Sequence, residues 1–336
     1  MGENEMNAIT KNHISEEALR KITEKAFGRS AEKFSARELS GGLCSAVYLI
    51  EAGGERAVLK VASESGVKVM RHEKMYVPAE AMIMKKLNET LDIPMPQLLF
   101  YDDSGEFCGV PYFFMSFLRG KPLNLTQDVT EEQYHRIKEQ LGEITRRIYE
   151  IEAPCFGIPL IPESSRETNA EFVYMLFEWL LLDAREKNIE IPEISAEDLL
   201  ALISRCEKAL NGAESPRFIH TDTWAGNVMV ENGEFTGLVD YAAVLCGDPL
   251  MSHDFHDFGD APDPYFLKGC GKTDFTREEK IRIQIYRIWQ RLGMVVERGY
   301  REYEDAGMYG WVLGEFAKEV EVLRNAVNVV DNRLGK

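Results

Sequence analysis

Asn232-Gly233 lies between two strand-like runs, Val228-Met229-Val230-Glu231 and Glu234-Phe235-Thr236-Gly237-Leu238-Val239, and it constrains this chain more than any other dipeptide. A type I′ turn needs positive φ at both central residues, which Asn and Gly tolerate, so the run is expected to fold as a two-residue hairpin. Such a loop pairs Glu231 with Glu234 and Val228 with Gly237. It therefore returns Asn227 and Asp240, which flank the two runs, to the same end. An amide oxygen beside a carboxylate is a hard-oxygen site suited to Mg²⁺, which takes few protein ligands and completes its shell with phosphate oxygens. Asp222 lies five residues before Asn227 in the preceding loop, placed to face an acceptor hydroxyl. Phosphoryl transfer asks for a base beside the acceptor and oxygens for the metal, and for little covalent chemistry from the protein. Each of the three alone would read as a cap or a turn residue; together, in this order on one hairpin, they point to catalysis. His220 reads as structural, bonding the loop backbone or Asp240.

The rest of the chain divides in two. Residues 15–28 read as an amphipathic helix with Ser15 as N-cap and Gly28 as its stop. Short β-rich runs follow within 34–117, at Ala46–Ile50, Ala57–Val61 and Tyr112–Met115, with Gly53-Gly54 as a hairpin turn and one helical stretch at about Pro78 to Asn88. Beyond Gly120 the pattern is helical. Thr130 with Gln133 caps a helix to about Ile151, a second covers about 170–187, and Ser195 caps a third that stops at Asn211-Gly212. Thr276 with Glu279 caps a fourth, and a fifth begins near Trp311. The expectation is an α+β, two-lobe chain: a small lobe with its leading helix at 1–118, and a larger helical lobe at 119–336 holding one inserted β-hairpin.

Composition narrows the partners. A net charge of −17 repels nucleic-acid phosphates and can attract a cationic substrate. The apolar runs are too short and too interrupted to cross a bilayer, and the first residues carry neither the basic region nor the apolar core of a signal peptide. The six cysteines are scattered singly, which suits reduced thiols in a cytoplasm better than disulfides or zinc. Oligomeric state has no signal in the sequence.

Phe218-Ile219-His220-Thr221-Asp222 through Asn227, then Gly237-Leu238-Val239-Asp240-Tyr241 and Gly247-Asp248-Pro249, resembles the aminoglycoside phosphotransferase family. The resemblance implies a protein-kinase-like fold and phosphorylation of small-molecule hydroxyls, with ATP as co-substrate. It implies Asp222 as catalytic base, Asn227 and Asp240 as Mg²⁺ ligands, and a structural role for Asp248. Two positions depart from the family pattern: Thr221 stands where Gly is usual, and Ala242-Ala243 follow the aromatic residue where Gly or an acid is common.

On the nucleotide side, Gly41, Gly42 and Ser45 lie in a turn between strand-like runs where backbone amides can approach phosphates. Lys60 ends an apolar run, so its charge needs a partner; Glu80 on the following helix is preferred to Glu73 because apolar residues flank it at helical spacing. Tyr112 to Leu118 resembles the inter-lobe segment that holds adenine through its backbone, with Met115 to Phe117 nearest. The acidic, aromatic stretch 253–263 offers Asp254, Asp257 and Asp260 to an amine-bearing acceptor such as an aminoglycoside, amino sugar or amino alcohol. Two other functions compete. A regulated protein kinase needs an activation segment, but only six residues separate Asp240 from Gly247; a non-catalytic nucleotide-binding scaffold would not need all of Lys60, Asp222, Asn227 and Asp240.

Overall fold

The structure is a computed structural model describing residues 8–28, 33–39, 44–255, 261–302 and 306–334. Helix α1 (Glu16–Phe27) starts where the Ser15 side chain accepts the Ala18 N–H and ends at Gly28, whose φ of 57° is left-handed. Strands β1 (Ser35–Glu38), β2 (Ala46–Ala52), β3 (Glu55–Val61), β4 (Leu98–Asp102) and β5 (Tyr112–Ser116) form an antiparallel sheet in the order β1-β2-β3-β5-β4. Gly53 and Gly54, at φ 59° and 84°, make the β2–β3 turn and pair Ala52 with Glu55. Helix α2 (Tyr76–Thr90) follows a single 3₁₀ turn at Arg71–Glu73.

Strand β6 (Lys121–Pro122) leaves this sheet and leads to α3 (Glu131–Tyr149), β7 (Phe156–Ile158), β8 (Ile161–Arg166) and α4 (Asn169–Glu186). Then come α5 (Ala196–Ser204), α6 (Glu207–Leu210), β9 (Arg217–His220), β10 (Val228–Glu231), β11 (Glu234–Leu238) and β12 (Val244–Gly247). Helices α7 (Pro264–Cys270), α8 (Arg277–Arg301) and α9 (Ala306–Leu334) complete it. Thr130–Gln133, Thr168–Glu171 and Thr276–Glu279 form reciprocal capping boxes.

Three expectations need correction. The helix expected from Ser195 to Asn211 is broken at Arg205–Cys206 into α5 and α6. The break turns α6 so that Leu210 and Ala209 offer their carbonyls to Asn169 Nδ2 at 3.0 Å and to Arg282 at 3.2 Å. The larger lobe holds two sheets rather than one hairpin: β11-β10-β6 and β8-β7-β12-β9. Their strands are two to six residues long and several pair with distant partners, so no local alternation announces them. The hairpin register also shifts: Glu231 faces Glu234 as expected, but Val228 faces Leu238, with a bulge past Val230. The bulge lets Thr236 donate its hydroxyl to Arg119 O at 2.8 Å and Leu238 N–H reach Pro94 O at 3.1 Å.

Leu19 and Ile22 of α1 cover one face of the five-stranded sheet with Tyr48, Leu59 and Phe114. From its other face Val58, Phe113 and Met115 join a core that continues through α2 into α3, α4 and α8. Among the described residues the cysteines are free thiols, and no helix is long and apolar enough to cross a membrane.

Candidate active site

Strands β9 and β12 pair His220 with Val244, and the loop that leaves β9 carries Asp222. The buried His220 ring lies against Tyr241, centroids 4.7 Å apart. Its Nε2 is 3.1 Å from Val239 O, an atom that only accepts, so Nε2 carries the proton; Nδ1 then accepts the Asp222 N–H at 3.2 Å. Burial holds this imidazole neutral, lowering its pKa to about 4. His220 thus ties the Asp222 loop to the far strand of the hairpin, the backbone role expected of it.

Asn227 donates from Nδ2 to Asp222 O at 2.8 Å and to Asp222 Oδ2 at 3.0 Å. One amide thereby fixes both the loop and the carboxylate. Burial, then the nearby Asp240 charge, raises the pKa of Asp222 to about 6. Val239 N–H donates to Asn227 O at 3.0 Å across the hairpin mouth, which brings Asp240 beside Asn227 despite the bulge. Asp240 adopts φ 63°, ψ 66°, an uncommon conformation for a non-glycine residue that turns the chain sharply.

Lys60 in β3 lies 2.7 Å from Glu80 Oε2 and 2.7 Å from Asp240 Oδ1. Burial alone would lower its pKa, but the Asp240 and Glu80 carboxylates outweigh that and raise it, so it stays charged. Side-chain exposure grades outward, from 0% at Glu80 and 6% at Lys60 to 38% at Asp240. The ammonium is therefore held from behind, and Asp240 opens toward solvent. Glu80 Oε1 accepts the Tyr241 N–H at 2.9 Å, so the carboxylate that pairs with Lys60 also holds the backbone next to Asp240. Glu73, the competing partner, pairs with Arg301 instead, at 2.7 Å.

The other expected site residues are placed as follows. Ser45 is buried just ahead of β2. Met115 is buried in β5, and Phe117 is half-buried just past it, beneath the Arg56 guanidinium at 4.2 Å. Gly41, Gly42, Asp257 and Asp260 lie outside the described residues. Asp254 does not face an open acceptor site. It is 2% exposed, pairs with Lys138 of α3 at 2.5 Å, and accepts the hydroxyl of Thr223. A buried carboxylate needs such partners, and here they pin the residue after Asp222 to helix α3. Asp248 likewise faces inward, accepting from Arg282 Nε at 2.7 Å and Tyr286 OH at 2.8 Å.

Sequence reasoning missed Lys138 and Thr223. Lys138 left a signal: it falls on the α3 face that carries Leu141 and Thr145, where a charge requires an opposite one. Thr221, the departure from Gly, donates its hydroxyl to Ala243 O at 2.6 Å and so bridges to the Ala242-Ala243 departure. The two exceptions are one contact.

The donor set suits Mg²⁺. Asn227 commits its amide nitrogen to Asp222, which leaves the oxygen end for a cation, and Asp240 adds a half-exposed carboxylate. No group of three His, Cys, Asp or Glu fit to hold a metal occurs among the described residues, and Mg²⁺ commonly takes only one or two protein ligands and completes its shell with water and phosphate oxygens.

Residues 35–261 match the model of the phosphotransferase enzyme family. Among solved structures, a protein assigned as an aminoglycoside phosphotransferase, from Ralstonia eutropha JMP134, is 12% identical with a TM-score of 0.66, covering 94% of this chain and 99% of its own. A protein assigned as a fructosamine-3-kinase, from Haemophilus somnus 129PT, is 15% identical with a TM-score of 0.67, covering 91% and 97%. A thermostable aminoglycoside phosphotransferase in ternary complex with AMP-PNP and hygromycin B is 16% identical with a TM-score of 0.57, covering 90% and 98%. No curated protein matches the sequence significantly.

Proposed function

This chain belongs to the phosphotransferase enzyme family, acting on hydroxyl groups of small molecules, and we propose that it takes the γ-phosphoryl group from ATP with Mg²⁺ and passes it to an amine-bearing alcohol. The observation that carries the reading is Lys60, bridged between Glu80 and Asp240 at 2.7 Å to each. That arrangement aims one fixed cation and one open carboxylate at the same place, where a triphosphate and its metal would meet them.

The residues act as follows. Asp222, steadied by Asn227, accepts the acceptor hydroxyl proton as its oxygen bonds to the γ-phosphorus and the bond to the β,γ-bridging oxygen breaks, releasing ADP. A carboxylate raised to about 6 is a better proton acceptor than an ordinary one and is still ionised at neutral pH. Lys60 holds the α- and β-phosphates. Asn227 and Asp240 would hold Mg²⁺, which offsets negative charge on the phosphates. Met115 to Phe117, where the chain leaves the small sheet, would supply backbone to adenine, and Gly41, Gly42 and Ser45 would cover the phosphates. The lobes divide on this reading between residues 118 and 119.

An amine-bearing acceptor fits the net charge of −17. Hygromycin B and gentamicin, bound by structurally similar proteins, carry amines. Protein substrates fit poorly: residues 241–247 form a 3₁₀ turn and strand β12, leaving no room for an activation segment. The test is an ADP-release screen against amino sugars, amino alcohols, aminoglycosides and neutral polyols. Turnover of amine-bearing alcohols that Asp222→Asn abolishes is expected; turnover of neutral sugars alone would sink the amine reading.

A further inference from the structure

The turn that leads into helix α2 is small-lobe sequence fastened to the large lobe. The Arg71 N–H donates to Asp183 Oδ2 of α4 at 3.0 Å, and its guanidinium pairs with the other oxygen of that carboxylate. Two residues on, Glu73 Oε1 accepts from Arg301 at 2.7 Å, while Glu73 Oε2 accepts the Met70 N–H at 3.1 Å. Arg301 is the last residue of α8. The guanidinium nitrogen that reaches Glu73 also lies 3.0 Å from Cys44 Sγ, two residues ahead of β2, and the other terminal nitrogen pairs with Glu297. Arg301 is 8% exposed and Glu73 7%.

A buried ion pair adds little net stability, because desolvation offsets most of its attraction. What a guanidinium does supply is direction, since its planar fork fixes where each partner sits. Here the partners are the approach to β2, whose neighbour β3 carries Lys60, and the entrance of α2, which carries Glu80 about one turn further on.

We infer that Arg301 is a positioning residue for the nucleotide site: through Glu73 and Cys44 it sets helix α2 and the approach to β2 against the large lobe, so that Glu80 meets both Lys60 and the Tyr241 N–H. The inference rests on the proposed ATP·Mg²⁺ reading of that site. Arg287 provides the comparison. It sits on the same helix and pairs with Glu319 of α9 at 3.7 Å, also largely buried.

The experiment is titration calorimetry of AMP-PNP with Mg²⁺, with thermal melting of each protein alongside. Arg301→Met is expected to weaken nucleotide binding by about tenfold, Glu73→Gln to weaken it in the same direction, and Arg301→Lys to fall between Met and wild type. Arg287→Met is expected to lower the melting temperature and leave nucleotide affinity unchanged. A folded Arg301→Met with wild-type affinity would overturn the inference, as would an equal loss in Arg287→Met. If Arg301→Met does not fold, Glu73→Gln decides, and unchanged affinity there counts against the inference. A wild-type protein that binds no nucleotide would instead remove the reading of the site.

Discussion

Asp222 carries the sharpest prediction at the level of single residues. Replacing it with Asn keeps the contact with Asn227 but removes the proton acceptor, so transfer should fall at least ~10²-fold with nucleotide affinity nearly intact. Steady-state rates beside AMP-PNP titration separate the two effects, and full activity would remove Asp222 from the mechanism. His220 predicts a pH effect on stability rather than on chemistry. Its folded pKa lies near 4, against 6.5 for the free group, because burial disfavours the charged ring. Between those values the unfolded chain binds more protons, so stability falls as pH drops from about 6.5 toward 4, by about 3 kcal/mol in all. Urea unfolding at pH 7 and pH 4.5 measures it. His220→Asn should lose stability outright but show a shallower acid dependence; an unchanged slope would assign the acid loss to other groups.

At the level of elements, the link between lobes gives a comparison. Gly120 has φ +99°, and a Cβ there would sit 2.2 Å from Val230 O, a backbone atom of the hairpin. Gly54 has φ +84° with nothing near its Cβ position. Gly120→Ala should therefore cost ~2–4 kcal/mol, strain and displacement together, and Gly54→Ala about 1–2 kcal/mol. Denaturant midpoints decide; equal losses would mean that the hairpin yields freely. The same elements show what could be read in advance. Asn232-Gly233, the Thr capping boxes and Ser15–Gly28 are local chemistry, and α3, α4 and α8 begin where their caps stand. Lys60 with Glu80 was readable because a charge in an apolar run must be matched. Edge strand β1, Ser35-Ala36-Arg37-Glu38, is polar and carried no apolar signal, whereas β4 is an apolar run, Leu98 to Tyr101, that the sequence did offer. Arg301, more than 220 residues from Glu73, could not be matched to it by any pattern of spacing.

For the whole molecule, charge makes the testable statement. A chain at −17 surrounds itself with a negative potential reaching about 30 Å at 0.01 M salt and about 8 Å at 0.15 M. The KM of a cationic acceptor should rise severalfold over that range, while that of a neutral one stays level. A flat KM for the cation would mean that capture depends on local contacts alone. Connectivity adds a consequence in time. Strand β6 completes its sheet only by pairing Pro122 with Met229 and Lys121 with Val230. On a ribosome adding roughly 5–20 residues each second, the first sheet can close once Ser116 has emerged, whereas β6 must wait about a hundred residues for its partner. For those seconds the nascent chain holds Lys60 and Glu80 without Asp240, the carboxylate that later joins them. Maturation of the proposed nucleotide site is thereby scheduled by the order of synthesis, and a pause between residues 122 and 229 would lengthen that interval.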